Sequence, residues 1–111
     1  MTGFPLRASA ETSGEPKKGY ILVEIEVTDS VRYRDYMALS LKAVQDFGGR
    51  FLVRGGDPKT VEGDRPLSRA VIVEFESFER AQAFYESAQY QRAAAVRREC
   101  AVTHYYLLHG A

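Results

Sequence analysis

The sequence predicts an α+β domain with the element order β-α-β-β-α-β. Three observations lead there. Two stretches, Tyr20–Val27 and Arg69–Phe75, alternate with a period of two, and each runs into a capping residue and a helical repeat. Between them a short run, Arg50–Arg54, is bracketed by the glycine pairs at 48–49 and 55–56. A Tyr- and Leu-rich segment near the end supplies one more strand.

In the first strand Ile21, Val23, Ile25 and Val27 fall on one side and Tyr20, Leu22, Glu24 and Glu26 on the other. Asp29 then offers an N-cap oxygen, and Tyr33, Tyr36, Met37, Ser40, Leu41, Val44 and Phe47 recur at helical spacing. This predicts a helix over about Ser30–Phe47, stopped by Gly48-Gly49. The strand Arg50–Arg54 ends at Gly55-Gly56 and Pro58, and residues 59–62 form an extended stretch before a turn at 63–66. In the third strand Val71, Val73 and Phe75 alternate against Ala70, Ile72 and Glu74. Ser77 caps a second helix with Phe78, Ala81, Phe84, Tyr85 and Ala88 as its buried stripe. Ser87 caps a further helical piece through about Arg98, favoured by three consecutive alanines from Ala93. The last strand is about Val102–Leu108. Such an order specifies the split-βαβ, ferredoxin-like arrangement with a four-stranded antiparallel sheet. An internal echo agrees with it, since Glu26-Val27-Thr28-Asp29 precedes the first helix as Glu74-Phe75-Glu76-Ser77 precedes the second.

At 111 residues the chain holds one hydrophobic core. Residues 1–18, rich in Gly, Pro, Ser and Thr without apolar period, are expected to be a flexible tail, and 19–111 the domain. Fifteen basic residues balance fifteen acidic ones, so no net field draws in nucleic acid or an anionic membrane, and neither is an expected partner. No apolar run suits a secretory signal or a membrane span, which makes a cytoplasmic location the expectation. One cysteine, Cys100, leaves no disulfide and no cysteine cluster within the chain.

With both helices on one face of the sheet, the other face is bare in a single protomer. Alternation puts Tyr20, Leu22, Leu52, Ala70 and Ile72 there, with Tyr106 and Leu108 or else Tyr105 and Leu107. So apolar a surface asks for a cover, and a second copy of the chain is the natural one, giving a face-to-face homodimer. The alternative cover is the tail or the 55–69 excursion.

The same parity assigns the charges. Glu24, Glu26, Glu74, Arg50 and Arg54 are all expected on the bare face. Carboxylates crowded together raise one apparent pKa and make a proton-transfer group, while an arginine fork holds a carboxylate or enolate. Glu74, Glu24 and His104 are therefore the candidate catalytic residues, and Arg54, Arg50 and Tyr36 the candidate substrate-binding ones. The competing structural reading pairs Arg54 with Glu74 as an ion pair that sets register or dimer contacts. Tyr33 and Tyr36 sit on the buried stripe of the first helix, where a satisfied hydroxyl in the core is the plain alternative. His104 and His109 are five apart and face opposite sides of a strand, so no metal site is expected, and no motif points to a cofactor.

The segments Lys18-Gly19-Tyr20, Asp29–Tyr36, the run Gly48-Gly49-Arg50-Phe51-Leu52-Val53-Arg54-Gly55-Gly56, Glu62-Gly63, Arg69–Phe75 and Ser87–Gln91 together carry a resemblance. The chain resembles the domain-of-unknown-function family 1330, within the dimeric α/β-barrel superfamily, over Lys18–Gly110. The resemblance implies a ferredoxin-like protomer pairing sheet to sheet, and it brings no assigned activity. Ala88 and Phe84 stand where that family usually has Pro and commonly Trp. Two functions follow from the residues. One is a cofactor-free enzyme acting on a small acidic or carbonyl compound by proton transfer on the inner sheet face. The alternative is a non-catalytic dimeric module that binds a ligand or another protein.

Overall fold

The two alternating stretches lie side by side at the centre of one antiparallel sheet in the computed structural model, which describes residues 17–111. All but two residues of the expected tail lie outside the described residues. In chain order the elements are β1 (Gly19–Val27), α1 (Ser30–Asp46), β2 (Arg50–Gly55), β3 (Arg69–Phe75), α2 (Phe78–Glu86), α3 (Ala88–Cys100) and β4 (Ala101–His109). The strand order is β2-β3-β1-β4, with every pair antiparallel. This is the expected ferredoxin-like arrangement, and residues 59–62 belong to no strand.

Each helix starts where the sequence supplies a cap. The Asp29 carboxylate accepts from the Val31 and Arg32 amides, both at 3.1 Å, and the Ser77 and Ser87 hydroxyls accept from Arg80 and Tyr90. A cap of this kind contributes about 1 kcal/mol. Helix α1 ends one residue earlier than expected, with Phe47 as its C-cap and Gly48 beyond it at φ +74°, a left-handed conformation glycine adopts freely. At the other end of the chain, α3 runs two residues further than expected and passes into β4 without a loop.

All three helices cover one face. Ile21, Val23 and Ile25 of β1 and Val73 and Phe75 of β3 are buried there against Tyr36, Ala43, Val44, Phe84 and Tyr90. Aromatic rings bind the layers together: Phe84 lies with its centroid 5.1 Å from Phe75 and 4.6 Å from Tyr90. Full burial of each such side chain is worth about 1.5–3 kcal/mol.

One strand breaks the expected parity. In β2, Phe51 pairs with Val73, but the next partner of β3, Ile72, faces Val53, so Leu52 is an extra residue and β2 is bulged. The extra residue shifts everything after it by one. Val53, expected under the helices, shares the bare face with Ile72; Arg54, expected on the bare face, pairs with Val71 and turns to the helix side. In β4 the open alternative resolves in favour of Tyr106 and Leu108 on the bare face, because they pair with Leu22 and Tyr20.

Candidate functional site

The six candidate residues separate into three places. On the bare face, at one end of β1, Glu74 accepts two hydrogen bonds: Tyr20 Oη donates to Oε2 and Arg50 Nη2 to Oε1, each at 3.0 Å. The Tyr20 hydroxyl, aided by Arg50 and opposed by partial burial, holds the Glu74 carboxyl below the ordinary glutamate value. Crowding was expected to raise a carboxyl pKa here. The opposite holds because Glu74 sits across from Tyr20 whereas Glu24 sits across from Ala70, four residues along the strand and on the order of 13 Å away. The expected Arg54–Glu74 pair is not formed; Arg50 takes that place.

At the other end of β1, Glu24 of β1 and His104 of β4 stand directly opposite each other. Cross-strand neighbours on one face bring their Cβ atoms within about 5 Å. Both line a cleft of about 530 Å³ whose other wall is the segment Arg65–Ser68, with Glu26 and Val102 at its edge. Arg65 Nη2 donates to Glu24 Oε1 at 3.2 Å, so a guanidinium joins the histidine and the carboxylate. Arg65 was not among the expected residues. It belongs to a stretch without periodicity, and no local pattern ties it to Glu24.

Tyr36 and Arg54 belong to the helix side. Tyr36 Oη lies 2.7 Å from Tyr90 Oη, both rings being buried. Burial, reinforced by Tyr90, pushes the Tyr36 phenol well above its ordinary value, and Tyr105 is pushed the same way for the same reasons. These are neutral hydroxyls. Arg54 stacks over Phe51, 4.5 Å from the ring centroid, and lines a small cavity of about 20 Å³ with Tyr33, Tyr36, Met37 and Arg69. Arg69 donates from Nε to Tyr33 Oη at 3.2 Å. Its place was legible in principle: the alternation of Val71, Val73 and Phe75, continued one step back, puts an arginine on the helix-covered side. His109 lies on that side too, stacked on Phe78 with centroids 3.8 Å apart, away from His104. Among the described residues no three His, Cys, Asp or Glu side chains gather to hold a metal.

Residues 18–111 match the family described as domain of unknown function DUF1330. The chain belongs to this family. No curated protein matches the sequence. Among solved structures, the family member is similar to the RPA0582 protein of unknown function from Rhodopseudomonas palustris, with a TM-score of 0.71 and 14% identity, over 100% of this chain and 95% of that one. It is similar also to SnoaB, a cofactor-independent oxygenase from Streptomyces nogalater, with a TM-score of 0.57 and 9% identity, over 83% and 91% of the two chains. A dimeric protein of unknown function with a ferredoxin-like fold from Bacteroides fragilis matches with a TM-score of 0.50 and 9% identity, over 83% and 95%. At these identities the likeness speaks for the fold. Among the described residues, no helix is long and apolar enough to cross a membrane.

Proposed function

We infer that this DUF1330 protein is a homodimeric, cofactor-free enzyme that moves a proton on a small acidic or carbonyl compound in the Glu24–His104 cleft. The observation that carries this is the meeting of a carboxylate, an imidazole and a guanidinium in one cleft of about 530 Å³, a volume suited to a small-molecule substrate. His104 takes the proton from the carbon beside a carbonyl, Glu24 stabilises the imidazolium so formed, and the enolate oxygen is held by Arg65. After exchange with solvent, His104 returns a proton to that same carbon or, where the carbon also carries a hydroxyl and the intermediate is an enediolate, to the former carbonyl carbon, and no redox partner is required. Glu74, held as a carboxylate by Tyr20 and Arg50, serves as a fixed charge.

The homodimer reading is supported by what the bare face exposes. Val102, Tyr106 and Leu108, on alternate positions of β4, are each 43–55% exposed. Tyr106 stands across from Leu22, which stands across from Ile72, and with Leu108 they form an apolar surface that a partner would cover at a gain of about 25 cal/mol per Å² before association costs, while Val102 lies beyond the Glu24–His104 pair. Both SnoaB's cofactor independence and the dimeric state of the Bacteroides fragilis protein are consistent with this assignment.

The test is deuterium wash-in. Pyruvate is incubated with the protein in D₂O and its methyl protons are followed by NMR. The wild type is expected to accelerate exchange above buffer, and His104→Ala and Glu24→Gln to remove that acceleration while Arg50→Gln retains it. Exchange no faster than buffer, or equally fast in His104→Ala, overturns the reading.

A further inference from the structure

On the helix side, two guanidiniums from neighbouring strands converge on a single neutral residue. Arg54 Nη2 donates to the Met37 carbonyl at 3.2 Å, and Arg69 Nη2 lies 3.6 Å from Met37 Sδ. Neither arginine has a carboxylate partner among the described residues. A carbonyl and a thioether are neutral acceptors, the second a weak one, whereas the guanidinium fork is matched by a planar carboxylate that accepts two charge-assisted bonds.

The space beside them suits one oxygen of such an anion, the rest of which lies at the mouth of the cavity, where Arg54 is exposed. The cavity of about 20 Å³ admits one water-sized group, and apart from Ser40 and the Met37 thioether its remaining walls are aromatic and aliphatic. Gly55, at φ +98°, lets the Arg69 guanidinium pack against it: a Cβ there would lie 2.8 Å from Arg69 Nη1. The same layer holds a third cation, Arg97, only 4% exposed, bonded through Nη1 to Thr103 Oγ1 and with its Nε unpartnered. Burial works against its charge, but the Tyr90, Tyr36 and Tyr105 oxygens outweigh that and keep it above the ordinary arginine value. A layer carrying three guanidiniums and neutral phenols favours an anionic guest.

We propose that the pocket between α1 and the sheet binds the carboxylate of a small apolar monocarboxylic acid. Arg54 and Arg69 hold its oxygens, and its body lies against Phe51 and the Met37 side chain, which is unbranched and repacks readily. The cavity is too small and its lining too apolar for a second charged group. This site stands on the opposite face of the sheet from the Glu24–His104 cleft and does not rest on the reading given to that cleft.

Benzoate is the probe, with benzamide as its uncharged analogue, measured by calorimetric titration and thermal melting of the full chain. Benzoate is expected to bind and raise Tm, and benzamide to do neither. Arg54→Gln and Arg69→Gln are each expected to weaken benzoate binding about tenfold or more, the cost of losing a hydrogen bond to a charge. Met37→Leu, which removes the thioether acceptor at similar volume, binds benzoate as tightly or more so. His104→Ala and Glu24→Gln leave the titration unchanged, so failure of the cleft reading is read separately. Should Arg69→Gln not fold, Arg54→Gln, at a more exposed position, carries the test alone. The proposal is overturned by absence of benzoate binding, by equal binding of benzamide, by weaker binding in Met37→Leu, or by affinity unchanged in a folded arginine variant.

Discussion

The two faces of the sheet are built from the same four strands, and they treat charge in opposite ways. On the bare face two of the three glutamates, Glu74 and Glu24, each have an arginine, Arg50 and Arg65 respectively. Between them lies apolar surface open to solvent. On the helix side Arg54, Arg69 and Arg97 meet a carbonyl oxygen, a thioether sulfur and hydroxyl oxygens, and among the described residues no carboxylate. The difference teaches where each face finds its missing partner. The bare face exposes apolar surface, for which we propose a second protomer as the cover; the helix side holds guanidiniums that meet no carboxylate among the described residues, for which we propose a small anion.

The largest effect separates the faces by stability. Phe84→Ala, which empties a fully buried site packed on Phe75 and Tyr90, is expected to cost about 3–5 kcal/mol in denaturant unfolding. Leu108→Ala on the bare face, where the side chain is 43% exposed, should cost the isolated protomer much less and act on association instead. The next largest concerns assembly. Leu22→Arg places a charge at the middle of the apolar surface and is expected to yield monomers by native mass measurement while leaving the far-UV spectrum intact. A wild type that is itself monomeric at micromolar concentration would remove the contrast drawn here.

A third test addresses the buried hydroxyl pair. Tyr36→Phe leaves the Tyr90 hydroxyl without its partner and is expected to cost about 1–3 kcal/mol, whereas Tyr36→Phe with Tyr90→Phe should cost less than either change alone. The smallest effect is a pH dependence on the bare face. Because Glu74 is held below its ordinary value when folded, its contribution to stability is fully present above the unfolded glutamate value of about 4.3 and is lost as pH falls through the folded value. Tyr20→Phe removes the main cause, and the acid limb of a Tm-versus-pH curve should flatten accordingly.

How much of this was legible in the residues follows from what kind of interaction placed each one. Asp29, Ser77 and Ser87 cap amides two or three residues away, so local chemistry alone located all three helices. The alternation in β1 and β3 is strict, and the sides assigned to Ile21, Val23, Glu24, Ile72 and Glu74 agree with the observed register. Strand β2 is where the reading failed. Phe51-Leu52-Val53-Arg54 carries no local mark of a bulge, and a single unpaired residue sent Arg54 through the sheet to join Arg69. The loop residue Arg65 was illegible for another reason: its partner Glu24 lies 41 positions earlier, and nothing periodic connects them.

The sequence by itself determined the elements, their order and hence the ferredoxin-like sheet with one uncovered face, because caps, glycine stops and two-residue alternation act over a few neighbours. Only the tertiary structure decided which charges meet. Side-chain parity holds along an unbroken strand, but the choice of where β2 slips against β3 belongs to the pairing of strands, where Phe51 fills the helix-covered layer opposite Val73 and the residue after Leu52 must begin again on the bare face.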